Sequence, residues 1–541
     1  MKPVIVAGAA LTVLWFALLA QRPLYEPDEG RYAEIPREML AGDWVTPHLD
    51  GLVYLEKPPL QYWITAIFYK MFGESEATAR LCTGLAGYLS LLTVFLVSRR
   101  LWGLEAGYKA LLLCLGSALF VLLGHQLTLD MTLSFFLLFA LACFLCAQCE
   151  RREARRGAAW MLGCWAAMAL AVLTKGLIGL LIPGATLLIY VSWQRDWEAL
   201  RRLNVRWGLP LFALITLPWF VLVARANPVF LKFFFIREHF ERFLTPIEHR
   251  SEPWWFFLTV LGIGTLPWLP IALRALLAPG AAAVPRGEFD PRRVLWVWCV
   301  FVWAFFSCSD AKLIPYVLPL VPALAMLCAA DAAAGKRREL ILGAVLSLLA
   351  CIGVLAFVGG FWTSVSARAL APQMRPVILW TAGLLAAIGA ACLLLIGRRR
   401  HDAALAVLCL GWFLGLCTVL LAAERVQGFF SAKDVALALI ADSRSPSAPA
   451  PVYAVQIYDQ SLPFYLKRPV ALVDYRDEFT PGLSQAPGRG IATLGEFSER
   501  WRSSSAGYAI MPFETFDELA ARGVPMRGVS RYRDQILVSR Q

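Results

Sequence analysis

The chain has 541 residues, of which 59% are hydrophobic and only 17% charged, with a mean hydropathy of +0.60. A soluble domain carries about a quarter charged residues, so a soluble globular protein is excluded. The net charge of +12 does not mark a nucleic-acid binder, because the basic residues cluster in short loops between apolar runs, where they report membrane orientation.

The first run, MKPVIVAGAALTVLWFALLA, has one early lysine and no small-x-small cleavage site, which predicts a retained first helix rather than a cleaved signal. Further apolar runs fall at 79–98, 106–123, 131–149, 158–174, 176–193, 207–224, 254–276, 294–308, 314–332, 339–361, 376–397 and 403–423, making thirteen candidate spans. Most approach the roughly 20 residues that cross a bilayer as a helix. Loops after the even-numbered spans carry Arg99–Arg100, Arg155–Arg156, Arg201–Arg202, Arg292–Arg293, Lys336–Arg338 and Arg398–Arg400. This pattern places those loops and the N-terminus in the cytoplasm. Loops 21–78 and 225–253 and the tail are then outside. The predicted division is a transmembrane domain over 1–423 and an external domain over 424–541.

Between the first two spans lies RPLYEPDEGRYAEIPREMLAGDWVTPHLDGLVYLEKPPLQYW, residues 22–63. It concentrates charge beside aromatic rings, and its segment 30–41 predicts a short helix lying in the interface. Residues 228–243, PVFLKFFFIREHFERF, interleave aromatic and charged residues and predict a second such helix. After about residue 424, VYAVQIY, PVALVDY, YAIMPF and QILVSR predict strands, and GEFSERW and FETFDELAAR predict helices between them. That alternation implies a small α/β domain without a glycine-rich phosphate motif. Of the thirteen cysteines none lies in the polar tail, so no disulfide framework is implied. Cys143, Cys146 and Cys149, three apart on an apolar helix, read as packing rather than as metal ligands.

Charged groups at membrane depth are costly and mark function. On the predicted outer face these are Asp28, Glu29, Glu56, Lys57, Asp130, Lys175, Arg237, His239, Arg242, His249 and Lys312. Each has a plainer reading. Asp28 suits a helix cap, Lys175 suits snorkelling to headgroups, Lys232 and Arg237 suit interfacial anchors, and Asp130, His125 and His249 suit hydrogen bonds to loop backbone. His239 with Glu56 fits a metal pair or an ordinary hydrogen-bonded histidine equally well. As a set, cations and carboxylates on one membrane face suit a substrate whose phosphate sits at headgroup level.

The segments YEPDEGRYAEIPREML, YLEKPPLQYW, LTKG, EHFERF with HRSEPWW, and SDAKLIPYVLPLVPALAML, in that order, resemble the lipid A aminoarabinose transferases (ArnT). These belong to the protein-mannosyltransferase-like membrane glycosyltransferases. The resemblance implies about 13 transmembrane helices in the C-type glycosyltransferase fold, with an active site on the periplasmic face of the bacterial inner membrane. It implies an undecaprenyl-phosphate-linked sugar donor, 4-amino-4-deoxy-L-arabinose in that family, and a lipid A phosphate acceptor among membrane lipids. Residue by residue, it places Asp28 at the catalytic aspartate, with Arg31 beside it and Asp130 at a second functional acidic position. Lys57, Lys175 and Arg242 fall where the donor phosphate is held. Glu56 and His239 match a metal-binding pair, implying a divalent metal such as zinc. The sequence leaves open a relative that moves a hexosamine or uses a protein acceptor, and, from another class, a transporter of lipid-linked sugars.

Overall fold

A computed structural model describes residues 2–150, 154–241, 251–278, 284–331, 335–361, 365–442 and 450–540. Its chain divides into two compact units, Met1–Leu19 with Cys82–Ala422, and Ala20–Leu81 with Ala423–Gln541.

Among the described residues each of the thirteen predicted apolar runs falls mainly on helix. Among the described residues seven helices are long and apolar enough to span a membrane, and nine if each of two bent pairs counts as one. Shorter apolar helices cover Gly8–Ala20, Ile178–Gln194 and Ile314–Ala329, and the run at 294–308 is the helix Pro291–Ser307. The bends have local causes. Leu104–Leu115 and Ala118–Gly124 meet at 71° across Gly116–Ser117, and Phe256–Gly264 meets Leu266–Leu277 at 85° next to Pro267. A bend frees carbonyls that lipid cannot satisfy. Here the Ser117 hydroxyl donates to the Gly264 carbonyl at 2.8 Å, so one break satisfies the other. Trp15, Trp268 and Trp298 are fully buried in the core between the helices. The second predicted interfacial helix is a π-helical segment, Lys232–Glu241, with Phe230 and Phe234 buried and stacked at 5.2 Å while Ile236 is exposed.

The second unit joins the 20–81 segment to the tail. The sequence reading kept that loop with the transmembrane domain; in the structure it shares a unit with residues 423–541. Its helix runs Asp28–Met39, two residues ahead of the predicted start. A hairpin of β1 (His48–Leu49) and β2 (Leu52–Val53) turns at Asp50 and Gly51, whose φ values of +56° and +70° match the two-residue turns that suit strand twist. The tail forms β3 (Val452–Val455), β4 (Ala471–Val473), β5 (Tyr508–Pro512), β6 (Arg527–Tyr532) and β7 (Gln535–Ser539), in the order β4-β3-β5-β7-β6. β3 is parallel to β4 and β5, whereas β7 is antiparallel to β5 and β6. The helices Leu494–Ser503 and Phe513–Ala521 match the predicted ones, and Phe497, Trp501 and Leu519 fill the core against Val455, Met511 and Val538. β6 was not predicted. It is an edge strand with exposed Arg527 and Arg531, and charge on an edge blocks further pairing.

Two carboxyls in this unit face the wrong medium for a charge. The Asp50 carboxyl is buried and accepts from the Val470 amide at 2.7 Å. Burial, with Glu34 nearby, pushes it up to about 8 against the pull of that amide, Arg489 and Arg37. Burial and Glu34 likewise push Glu38 up to about 8. Both therefore hold protons in the folded state that the unfolded chain releases near its ordinary carboxylate range. Stability from this source is full at acid pH and is lost as pH rises towards 8, with a slope of up to about 1.4 kcal/mol per pH unit for each group. Asp50→Asn keeps an acceptor and tolerates the positive φ. It is expected to unfold at a higher temperature than wild type at pH 8, with the gap closing by pH 5. Parallel melting curves from pH 5 to 8 check this, and a gap that does not change with pH refutes it.

Candidate active site

Asp28 lies in the first turn of the Asp28–Met39 helix, and the cap position is held by Pro27 rather than by Asp28. One turn on, Arg31 reaches back to it, with Nη1 donating to Asp28 Oδ1 at 2.8 Å. The pair is asymmetric. The Asp28 side chain is 42% exposed and that of Arg31 15% exposed, so the carboxylate is presented while the cation is held behind it. A carboxylate in the first turn also meets the positive end of the helix dipole. The next residue, Glu29, is fully buried and takes hydrogen bonds from Arg22, from Arg80 and from the Tyr25 amide. Neighbouring acids on one turn thus have opposite jobs, one facing outward and one locking the segment.

On the following loop Glu56 accepts from the Tyr54 hydroxyl at 3.0 Å, with the Lys57 ammonium 4.0 Å from its carboxylate. Tyr54 and Tyr62 are buried, and Tyr62 stacks with Tyr32 at 6.1 Å. Burial and then the Glu56 charge push the Tyr54 phenol far above its ordinary value, so Tyr54 stays a hydrogen-bond donor. This loop and the Asp28 turn offer one exposed carboxylate and one lysine, backed by buried tyrosines.

In the first unit, Asp130 stands in the first turn of Leu129–Cys149, and Lys175 is the last residue of Ala154–Lys175. The two helices run antiparallel, which brings Lys175 Nζ to 2.5 Å from Asp130 Oδ1. Each charge complements its own helix end. The ammonium also lies 5.0 Å from the Tyr316 ring, so Lys175 is anchored rather than snorkelling freely. His125 is a buried histidine whose ring nitrogens lie 2.7 and 3.0 Å from the Val121 and Trp15 carbonyls. Lys312 donates to the Ser309 carbonyl at 2.6 Å.

Residues 439–540 match the family described as "Aminoarabinose transferase C-terminal domain", and residues 56–222 match "Dolichyl-phosphate-mannose-protein mannosyltransferase". The chain is 35% identical to an undecaprenyl phosphate-alpha-4-amino-4-deoxy-L-arabinose arabinosyl transferase of Sodalis glossinidius, over 62% of this chain and 64% of that relative. With the corresponding arabinosyl transferase of Erwinia tasmaniensis the identity is 31% across 98% of both chains. The chain belongs to the ArnT family. The crystal structure of ArnT from Cupriavidus metallidurans bound to undecaprenyl phosphate superposes with a TM-score of 0.91, at 34% identity, covering all of this chain and 98% of that one. The apo form of the same ArnT gives a TM-score of 0.89. The family identifies the protein as a polytopic helical membrane glycosyltransferase.

Of the residues expected from the ArnT resemblance, the structure pairs Asp28 with Arg31, Glu56 with Lys57, and Asp130 with Lys175. Arg242 lies outside the described residues, as do His249 and the side chain of His239. The metal expectation has one described ligand, Glu56, already engaged by Tyr54 and Lys57. Among the described residues no group of three or more His, Cys, Asp and Glu side chains could hold an ion. The described residues do not by themselves make a zinc site, which needs three or four protein ligands. Sequence reasoning missed Glu478, whose carboxylate takes Arg31 Nε at 2.5 Å. Its segment, DYRDEF, carried no motif, and the partners lie 447 residues apart.

Proposed function

We propose that this protein transfers 4-amino-4-deoxy-L-arabinose from undecaprenyl phosphate to a phosphate of lipid A, conferring resistance to polymyxin and similar cationic peptides. The observation that carries this reading is the whole-chain likeness to ArnT bound to undecaprenyl phosphate. The match of residues 439–540 to the aminoarabinose transferase tail favours lipid A over a protein acceptor. The basic-loop pattern supports a bacterial inner-membrane location with the N-terminus cytoplasmic, and with the site and residues 424–541 periplasmic.

A lipid A phosphate oxygen is anionic near neutral pH and needs no general base. It attacks C1 of the sugar. The C1–O bond to the donor phosphate breaks, and its electron pair leaves on undecaprenyl phosphate. No proton changes hands, and one displacement inverts the configuration at C1. Asp28, held by Arg31, faces the positive charge that builds on the sugar. Lys57 stabilises the leaving phosphate, and the resemblance assigns Lys175 and Arg242 to the same group. Asp130 sets the position of Lys175. Glu56 and His239 are the pair that would hold a divalent metal such as zinc.

Mass spectrometry of lipid A from polymyxin-challenged cells tests the reading, comparing wild type with a strain lacking this gene. A pentosamine on lipid A phosphate, present only with the gene, is the expected result. A hexosamine in its place would change the sugar. Identical lipid A in both strains would overturn the acceptor.

A further inference from the structure

The geometry points to Glu478 as a positioning residue for transfer, one that fixes the Arg31 guanidinium and, through it, the Asp28 carboxylate. This rests on the reading of Asp28 given above. Glu478 comes from the tail, in the short turn Asp477–Phe479. Its side chain is 6% exposed, and both oxygens are used: one takes Arg31 Nε at 2.5 Å, the other takes Gln460 Nε2 at 3.0 Å. The guanidinium is thus gripped on two edges, by Glu478 at Nε and by Asp28 at Nη1.

An arginine paired only with an exposed carboxylate one turn away is weakly held, because solvent screens such pairs. A buried second carboxylate with its own hydrogen-bond partner removes that freedom. The grip is itself anchored. Phe479 is buried and meets the Tyr458 ring edge-on at 4.7 Å. On the other side, a Cβ at Gly30 would lie 2.4–2.7 Å from the backbone of Gln460 and Ser461. The helix bearing Asp28 and Arg31 therefore abuts the segment bearing Gln460, and only glycine fits between them.

The arrangement also matters for charge. With one guanidinium shared by two carboxylates the trio carries a net negative charge. Asp28 then keeps its field for the sugar carbon as positive charge develops there. A tail that carries no reacting group of its own thereby tunes the reacting carboxylate.

The test is steady-state kinetics on the purified full-length protein with undecaprenyl-phosphate-linked aminoarabinose and lipid A. Glu478→Gln keeps the shape and removes the charge. We expect kcat to fall about 10- to 100-fold, the size of effect a small misplacement of a reacting group produces, with KM for the donor unchanged. Glu478→Asp, which restores the carboxylate, recovers part of the loss. In an Arg31→Lys background Glu478→Gln costs nothing further, because coupled residues are non-additive. If Glu478→Gln does not accumulate in the membrane, Gln460→Leu releases only the second bond and lowers kcat in the same direction. An unchanged kcat in these variants, alongside an inactive Asp28→Asn, overturns the role of Glu478. So does an equal loss in both Arg31 backgrounds. A fully active Asp28→Asn overturns the reading of the site itself.

Discussion

Asp28→Asn is expected to leave the protein folded and inserted while lowering kcat by about 10²- to 10³-fold, the cost of removing one well-placed electrostatic stabiliser. Asparagine keeps the size of the side chain and still accepts from Arg31 Nη1, which donates to Asp28 at 2.8 Å. Only the charge is lost. Because the Asp28 side chain is 42% exposed, its ion pair adds little to stability, and the melting temperature should move by no more than a degree or two. The loss should sit in kcat, since the charge counts most when the sugar becomes cationic, and the donor KM should change little. Turnover assayed beside thermal unfolding of the same preparation separates the two effects. Full turnover would remove Asp28 from the mechanism, and a collapse of stability would make it a structural residue.

One residue along, the expectation reverses. Glu29→Gln should deplete folded protein rather than slow it. Glu29 is fully buried and is held between Arg22 and Arg80, both themselves buried. Arg80 donates to both Glu29 oxygens, at 2.9 and 2.8 Å, and also to the Arg22 and Pro23 carbonyls. Burial alone would raise the carboxyl, but the two guanidinium groups outweigh it and hold the group well below the usual carboxylate range. A depressed value gives stability that is complete above the ordinary carboxylate range and is lost only as pH falls below it. Between pH 5 and 8 the lock is constant, whereas the Asp50 contribution declines. Removing one member of such a buried set leaves uncompensated charge and costs about 3–5 kcal/mol, much of a domain's total stability. Membrane-fraction abundance and protease sensitivity at 37 °C measure it. Glu29→Gln present at wild-type level with unchanged melting would show that the cluster does not hold the segment.

Local chemistry was legible in the sequence. Among the described residues the thirteen apolar runs fall mainly on helix, since backbone groups in lipid must bond within their own segment. The segment EPDEGRY contained both Asp28 and Arg31, which touch at i,i+3 spacing. Four of the five strands in the tail were visible from β-branched and aromatic runs, and β6 was hidden because an exposed charged edge does not look like a strand. What sequence could not disclose were pairings across hundreds of residues. Arg31 with Glu478, Glu26 with Arg533 and Asp50 with the Val470 amide depend on the chain's path. Nothing in the charge pattern separated Asp28 from Glu29 either. Their exposures differ only because the helix turns one outward and the other towards Arg22 and Arg80.

The division of the second unit bears on how the protein is made. Residues 20–81 leave the ribosome early, yet the partners that complete them come after residue 422. At about 5–20 residues per second, synthesis of the stretch between them takes on the order of tens of seconds. During that time the Arg22–Glu29–Arg80 cluster can close on itself, but Glu26 has no Ser461 or Arg533 and Arg31 has no Glu478. The carboxylate assigned to chemistry is thus among the first parts made and among the last to be set. A nascent chain carries an incomplete site throughout its insertion, and activity arrives only with the tail.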